Sequence, residues 1–261
     1  IVPYIPDGIG NSTDRQRIPA VLIIPGGAFR RLVYNFEGED VAKWLNSMGI
    51  AAFVHECRLP SDEHDNAEDV PLIDAMRAMR VIRGRAQEFG IDEAKIGVMG
   101  FSAGGFMAAL LSTAYESDVY ADYKYKDEYD KLSARPDFAV CSYPVISIDD
   151  CIEAGKRYMS EEQVLERISD SKAKILHKYN PDKLVRPDMP PVFICETDDD
   201  RTTLSENSVG FYMAARKAGV SAELHIFRTG GHGYGCGDDF AQTGEWKVLF
   251  TKWIKSIGII S

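Results

Sequence analysis

Gly100-Phe101-Ser102-Ala103-Gly104 follows the run Lys95–Met99 and leads into the small-residue segment Gly105–Leu111. A serine hydroxyl is a poor nucleophile unless it stands exposed on a tight strand-to-helix turn. There, flanking glycines clear the space around it and the helix N-terminus faces the developing negative charge. The pattern points to acyl transfer with Ser102 as nucleophile and the amide of Ala103 as one donor to the oxyanion. A phosphate-cradling turn would carry G-x-G-x-x-G or G-K-[ST], and neither motif is present.

Such a serine needs a base. Of the five histidines, only His232 lies in a glycine frame, Gly230-Gly231-His232-Gly233-Tyr234, just beyond the run Ala222–Phe227. His55 and His225 fall in strand-like runs, where a hydrogen-bonded structural role is expected; His64 sits in an acidic loop and His177 in a charged helical stretch. No H-x-x-x-H or clustered Cys and His spacing occurs, so neither a metal nor a cofactor is expected. An imidazole base also implies activity that falls in acid.

The base in turn needs a carboxylate to fix its tautomer, and Asp198, Asp199 and Asp200 all follow Cys195. Their spacing does not choose among them. Ile23-Ile24-Pro25-Gly26-Gly27-Ala28-Phe29 reads as a strand ending in small residues, so the amides of Gly27 and Ala28 are the expected partners of Ala103 in an oxyanion hole. Phe29, Phe101, Tyr34 and the stretch around Tyr158 are candidates to line the substrate pocket.

These residues must be held by a scaffold, and the hydropathy pattern supplies one. Ala20–Ile24, Ile50–His55, Lys95–Met99, Phe138–Ser142, Val192–Cys195 and Ala222–Phe227 are apolar almost throughout, as strands covered on both faces should be. Gly38–Met48, Ala67–Phe89, Ala103–Glu116, Ser205–Ala218 and Phe240–Ile257 have helical periodicity, with Gly49, Gly90 and Gly219 as stop signals. The alternation implies one α/β domain over residues 1–261, a mostly parallel sheet with helices on both faces. Residues 147–188 break the rhythm with two charged helical patterns, Ser160–Ile168 and Asp170–Tyr179, and read as a cap-like insertion before the acid-bearing strand. Tyr115–Tyr129 reads as a solvated loop.

Composition bounds the partners. Forty acidic against thirty basic residues give a net charge of -10, which disfavours nucleic acid. No apolar run approaches the roughly 18 residues of a membrane span, so no membrane partner is expected. Five cysteines in a chain large enough to need no staples favour a reducing compartment, and a cytoplasmic location is expected. The start at Ile1 reads as a sheet strand cut short on its N-terminal side.

The residues resemble the α/β-hydrolase superfamily, and within it the small acetyl xylan and feruloyl esterases near the hormone-sensitive-lipase-like branch. The resemblance rests on Ile24–Phe29, Asp74–Arg80, Ile96–Gly105, Ser142–Ile146, Met189–Phe193 and Gly231–Gly233. It implies the chain order serine, aspartate, histidine. It also selects Asp200, because the family's aspartate is the second of a pair after a threonine and shortly precedes an Asn-Ser helix start, a pattern laid here on Thr197-Asp198-Asp199-Asp200 and Asn207-Ser208. Ala28 stands where a third glycine is usual, Cys57 where tyrosine is common, and Glu196 where histidine is frequent. The implied function is a serine esterase acting on acetyl or feruloyl esters of plant cell-wall carbohydrates. The competing readings are a prolyl-oligopeptidase-type peptidase, which usually carries a large extra domain, and a non-catalytic ligand-binding relative.

Overall fold

The computed structural model describes residues 1–8, 17–60, 64–121, 123, 126–157, 159–164, 174–237 and 242–261. Its centre is a seven-stranded sheet. The strands are β1 (Val2–Tyr4), β2 (Ile18–Ile24), β3 (Ala51–Val54), β4 (Ile91–Phe101), β5 (Ala139–Ser142), β6 (Val192–Thr197) and β7 (Ala222–Phe227), in spatial order β1-β3-β2-β4-β5-β6-β7. Only β1 is antiparallel to its neighbour. β1 is the strand read at the start of the sequence, and the other six are those that the apolar runs predict.

Both faces of the central strands are covered, which is why these strands are apolar over most of their length. Ala20, Leu22 and Ile24 face a core with Met76, Phe106, Leu110 and Phe211. Val21 and Ile23 face the opposite core with Val41, Leu45, Trp246 and Phe250. The helices behind these cores are α1 (Asp40–Ser47), α2 (Val70–Gly84), the short α3 (Ala86–Phe89) and α4 (Ala103–Ala114). After α5 (Ile148–Lys156) and α6 (Lys174–Lys178) come α7 (Ser205–Lys217) and α8 (Glu245–Ser256). The helix expected over Ala67–Phe89 is therefore two, divided at Arg85.

From β2 the chain moves outward to β3 and then crosses back to β4 on the other side of β2. That reversal opens a crevice at the carboxyl ends of β2 and β4, where doubly wound sheets bind ligands. Two glycine-rich segments, Gly26-Gly27 and Gly100–Gly104, lie at this switch point.

One stretch differs from expectation. In Tyr115–Tyr129, Tyr115 and Tyr120 are buried, because each hydroxyl has an acidic partner (Asp188 and Asp130) and Arg80 stacks over the Tyr120 ring at 4.1 Å. The 147–188 excursion is anchored by Ile175 and Tyr179, which are buried in the core, and by Asp69, which accepts hydrogen bonds from Tyr179 and Lys178. Parts of its predicted helices, and Tyr158, fall outside the described residues. Cys141, Cys195 and Cys236 are buried free thiols, and burial pushes Cys195 up to about 12. No helix among the described residues is long and apolar enough to cross a membrane.

The two structural histidines part company. His225 pairs with Glu223 at 2.7 Å, whereas His55 is buried and neither ring nitrogen has a hydrogen-bond partner among the described residues. Burial lowers His55 from 6.5 to about 4, against a weaker opposing pull from Asp74. The unfolded chain therefore takes up this proton before the folded one does. The resulting stabilisation is complete above pH 6.5, is lost as pH falls toward 4, and amounts to about 3 kcal/mol. Replacing His55 with leucine should flatten the dependence of the unfolding midpoint on pH between 6.5 and 4. An unchanged slope in thermal melts would exclude His55 as its source.

Candidate active site

Ser102 caps α4 at the end of β4 with φ 53° and ψ -118°, a conformation that side-chain-bearing residues rarely adopt. The neighbouring glycines explain how the turn closes. A Cβ on Gly100 would lie 1.9 Å from the Gly104 carbonyl oxygen, and one on Gly104 would lie 1.9 Å from that of Ile24. Ser102 N–H donates to the Ser142 carbonyl at 3.0 Å, and the Ser102 carbonyl accepts from Phe106 at 3.0 Å to open the helix.

His232 reaches this serine from the loop between β7 and α8. Its Nε2 lies 2.9 Å from Ser102 Oγ, and its Nδ1 lies 2.7 Å from Asp200 Oδ2. The loop is tied to the turn after β6 by two further bonds: Thr197 Oγ1 donates to the Gly231 carbonyl at 2.9 Å, and Gly231 N–H donates to Asp199 Oδ1 at 2.8 Å. Trp246 Nε1 donates to the Gly235 carbonyl at 3.0 Å from the other side.

Of the three aspartates that spacing leaves open, the fold brings Asp200 to the imidazole. Its side chain is fully buried, and it accepts from the amides of Thr202 and Thr203 at 2.7 and 2.9 Å and from Thr203 Oγ1 at 3.0 Å. Burial would raise the carboxyl, but the hydrogen bond and charge of His232 and the two threonine amides outweigh it and hold Asp200 below its ordinary value. Asp199 props the histidine loop instead, and Asp198 is exposed. Glu196 is also buried, accepting from Thr197 N–H at 2.9 Å and Ser208 Oγ at 3.2 Å. Burial and then the charge of Asp200 push it well above the carboxylate range.

Across the crevice, the loop after β2 turns tightly at Gly27 (φ 133°), Ala28 (φ 56°) and Phe29 (φ 56°), and is closed by Arg30 N–H to the Gly27 carbonyl at 3.0 Å. Gly27, Ala28, Ser102 and His232 share an open cavity of about 470 Å³. Ala103 is the first residue of α4, so its N–H belongs to the unsatisfied first turn.

The two phenylalanines expected in the substrate pocket are not among the described residues that line it. Phe101 is fully buried, because strand alternation aims the residue before Ser102 into the core, against Tyr143 and Trp246. Phe29 packs edge-on to Phe106, beneath the loop. Arg30, Arg31, Phe36, Glu37 and Thr202 line the cavity instead. Sequence reading missed these residues, and it also missed Thr203 and Tyr143.

The chain is similar to known proteins in both sequence and fold. An acetylxylan esterase of Xylanibacter ruminicola is 31% identical over 240 residues, which is 91% of this chain and 45% of that protein. Endo-1,4-beta-xylanase B of Butyrivibrio fibrisolvens is 31% identical over 227 residues, 87% of this chain and 34% of that protein. This chain thus spans less than half the length of these two relatives. Among solved structures, an acetyl ester-xyloside bifunctional hydrolase from Caldicellulosiruptor lactoaceticus superposes with a TM-score of 0.79 at 37% identity, over 100% of this chain and 88% of that one. The fold is that of the α/β-hydrolases, as the motif order implied. The model of the BD-FAE family matches residues 9–214, a span that contains the glycine-rich loop after β2, Ser102 and Asp200. On that match, the chain belongs to the BD-FAE family.

Proposed function

We propose that this chain is a serine hydrolase of carboxylic esters, acting on acetyl or feruloyl groups carried by plant cell-wall carbohydrates. The observation that carries the reading is the unbroken relay from Asp200 through His232 to Ser102, which opens on a solvent-connected cavity. In this reading Ser102 Oγ attacks the ester carbonyl while His232 Nε2 takes its proton. The carbonyl oxygen becomes an oxyanion received by the amides of Gly27, Ala28 and Ala103. His232 then returns the proton to the departing alkoxide, leaving an acyl-enzyme, and a water activated by the same imidazole releases the acid. Asp200 keeps Nδ1 protonated and stabilises the imidazolium.

The names of the relatives include both esterase and xylanase activities, so the site must decide between ester and glycosidic bonds. Glycoside hydrolysis generally uses two carboxyl groups about 5 to 9.5 Å apart across the bond. Glu37 is the one carboxylate among the described residues lining the cavity, and both of its oxygens already accept hydrogen bonds. The site therefore favours the ester. The buried free thiols accord with the reducing, cytoplasmic compartment expected from the cysteine pattern.

Three measurements test this reading. On nitrophenyl acetate, Ser102→Ala should keep only the roughly 10³- to 10⁴-fold enhancement over water that donors and binding supply, and turnover near wild type would place the nucleophile elsewhere. Asp200→Asn should lower kcat by about 10³- to 10⁴-fold through the wrong histidine tautomer. Asp198→Ala should stay within about twofold of wild type, with Asp199→Ala in between; equal losses at all three would remove Asp200 from its role. In an acyl series from acetate to octanoate, run beside methyl ferulate and acetylated xylan, kcat/KM should be highest on acetyl or feruloyl esters. A preference for octanoate would overturn the carbohydrate assignment.

A further inference from the structure

Asn35–Glu39 forms one turn of π-helix directly before α1, a rare geometry that tends to occur at functional sites. Within it Phe36 is exposed while Glu37 turns inward and is 3% exposed. The Glu37 carboxylate joins two separate parts of the site. Its Oε2 accepts from Gly26 N–H at 2.7 Å, and its Oε1 accepts from the Tyr143 hydroxyl at 2.9 Å. The same hydroxyl accepts from Gly235 N–H at 3.0 Å. A single carboxylate thus reaches the loop after β2, the segment after β5 and, through Tyr143, the loop that carries His232.

Burying a carboxylate is unfavourable for stability, and an apolar side chain of similar size would commonly serve the core better. Burial pushes Glu37 above its ordinary value, with Tyr143, Gly26 and His232 pulling the other way. Its placement is also close-fitting. A Cβ on Gly26 would lie 2.8 Å from Glu37 Oε2 and 2.9 Å from Ser102 Cβ, so Gly26 is wedged between the carboxylate and the serine. Tyr143 is held at φ 37° and sets its ring edge-on to the His232 imidazole at 5.0 Å.

We propose that Glu37 is a positioning residue that fixes the oxyanion loop over Ser102 and, through Tyr143, fixes that loop relative to His232. The proposal rests on the serine hydrolase reading above. Each loop has its own closing bonds, Val33 N–H to the Gly26 carbonyl on one side and Thr197 Oγ1 to the Gly231 carbonyl on the other. Each can therefore hold its own shape without Glu37. What Glu37 adds is their separation. It also engages the Gly26 amide, leaving the next two amides to receive the oxyanion. A misplacement of about 1 Å in such an arrangement costs on the order of 10²-fold in rate.

The test compares Glu37→Ala, Glu37→Gln and Tyr143→Phe on nitrophenyl acetate, with kcat expressed per serine titrated by a fluorophosphonate. Glutamine can still accept from Gly26 and can donate to Tyr143, so it keeps the tether without the charge. Glu37→Ala should lower kcat on the order of 10²-fold while KM stays within about threefold. Its affinity for an aryl trifluoromethyl ketone, which forms a tetrahedral oxyanion on the serine, should fall by the same factor as kcat/KM. Glu37→Gln should recover most of that loss. Tyr143→Phe should lose about tenfold in kcat, and adding it to Glu37→Ala should cost little more. A variant that melts earlier but keeps wild-type kcat per titrated serine would reduce Glu37 to a structural role and overturn the proposal, as would a change in KM alone. If Glu37→Ala does not fold, wild-type kcat per serine in Tyr143→Phe overturns it equally. Failure of the serine reading looks different, because then the wild-type protein has no serine to titrate.

Discussion

The site is referenced throughout to one strained peptide unit. Ser102 holds φ 53°, which a residue with a side chain keeps only where its surroundings over-determine it. Here the surroundings are the middle of the fold. β4 is paired on both sides, with β2 and β5, and ends at the serine. α4 begins at the next residue, and Gly104 is pressed against the carbonyl of Ile24 at the end of β2. The best-packed elements of the protein thus project one hydroxyl at the carboxyl edge of the sheet. Apart from the Ala103 amide at the head of α4, the other groups the chemistry needs come from the loops and turns that follow β2, β6 and β7.

This division explains what could be read from the sequence. The serine turn was legible because the close approaches at Gly100 and Gly104 admit no other residue, so the physical requirement is written as residue types. His232 was legible for a related reason, since a glycine frame lets a loop present one side chain. Asp200 was not separable from Asp198 and Asp199 by spacing, because three consecutive acidic residues in a turn differ only in where the turn points them; the family resemblance was needed to choose. Phe101 was misread because adjacency to Ser102 in sequence does not mean adjacency in the pocket. In a strand, the neighbour of an outward residue faces the core. Glu37 escaped for a different reason. The helical period places the start of α1 at Gly38, and the π-turn that rotates Glu37 inward has no 3.6-residue signature. The buried tyrosines in Tyr115–Tyr129 read as surface in the sequence because their hydroxyl partners are distant in sequence or on a neighbouring turn.

The acidic residues near His232 also divide by environment in a way that composition could not convey. Asp200 and Glu196 lie four residues apart at the end of β6, and both are buried. Asp200 is surrounded by donors, namely two amides, a hydroxyl and the imidazole, and is held below its ordinary value. Glu196 has one amide and one longer hydroxyl contact and is pushed well above it, by burial first and then by the charge of Asp200. Two ionised carboxylates this close would each raise the other, and Asp200 would lose the charge that orients His232. The upward shift of Glu196 works against that loss. Burial disfavours charge on Glu196, while hydrogen bonding favours it on Asp200, the group that faces the imidazole. Unequal burial and hydrogen bonding of two similar side chains thus shift them in opposite directions, and the direction that favours charge falls on the partner of the base.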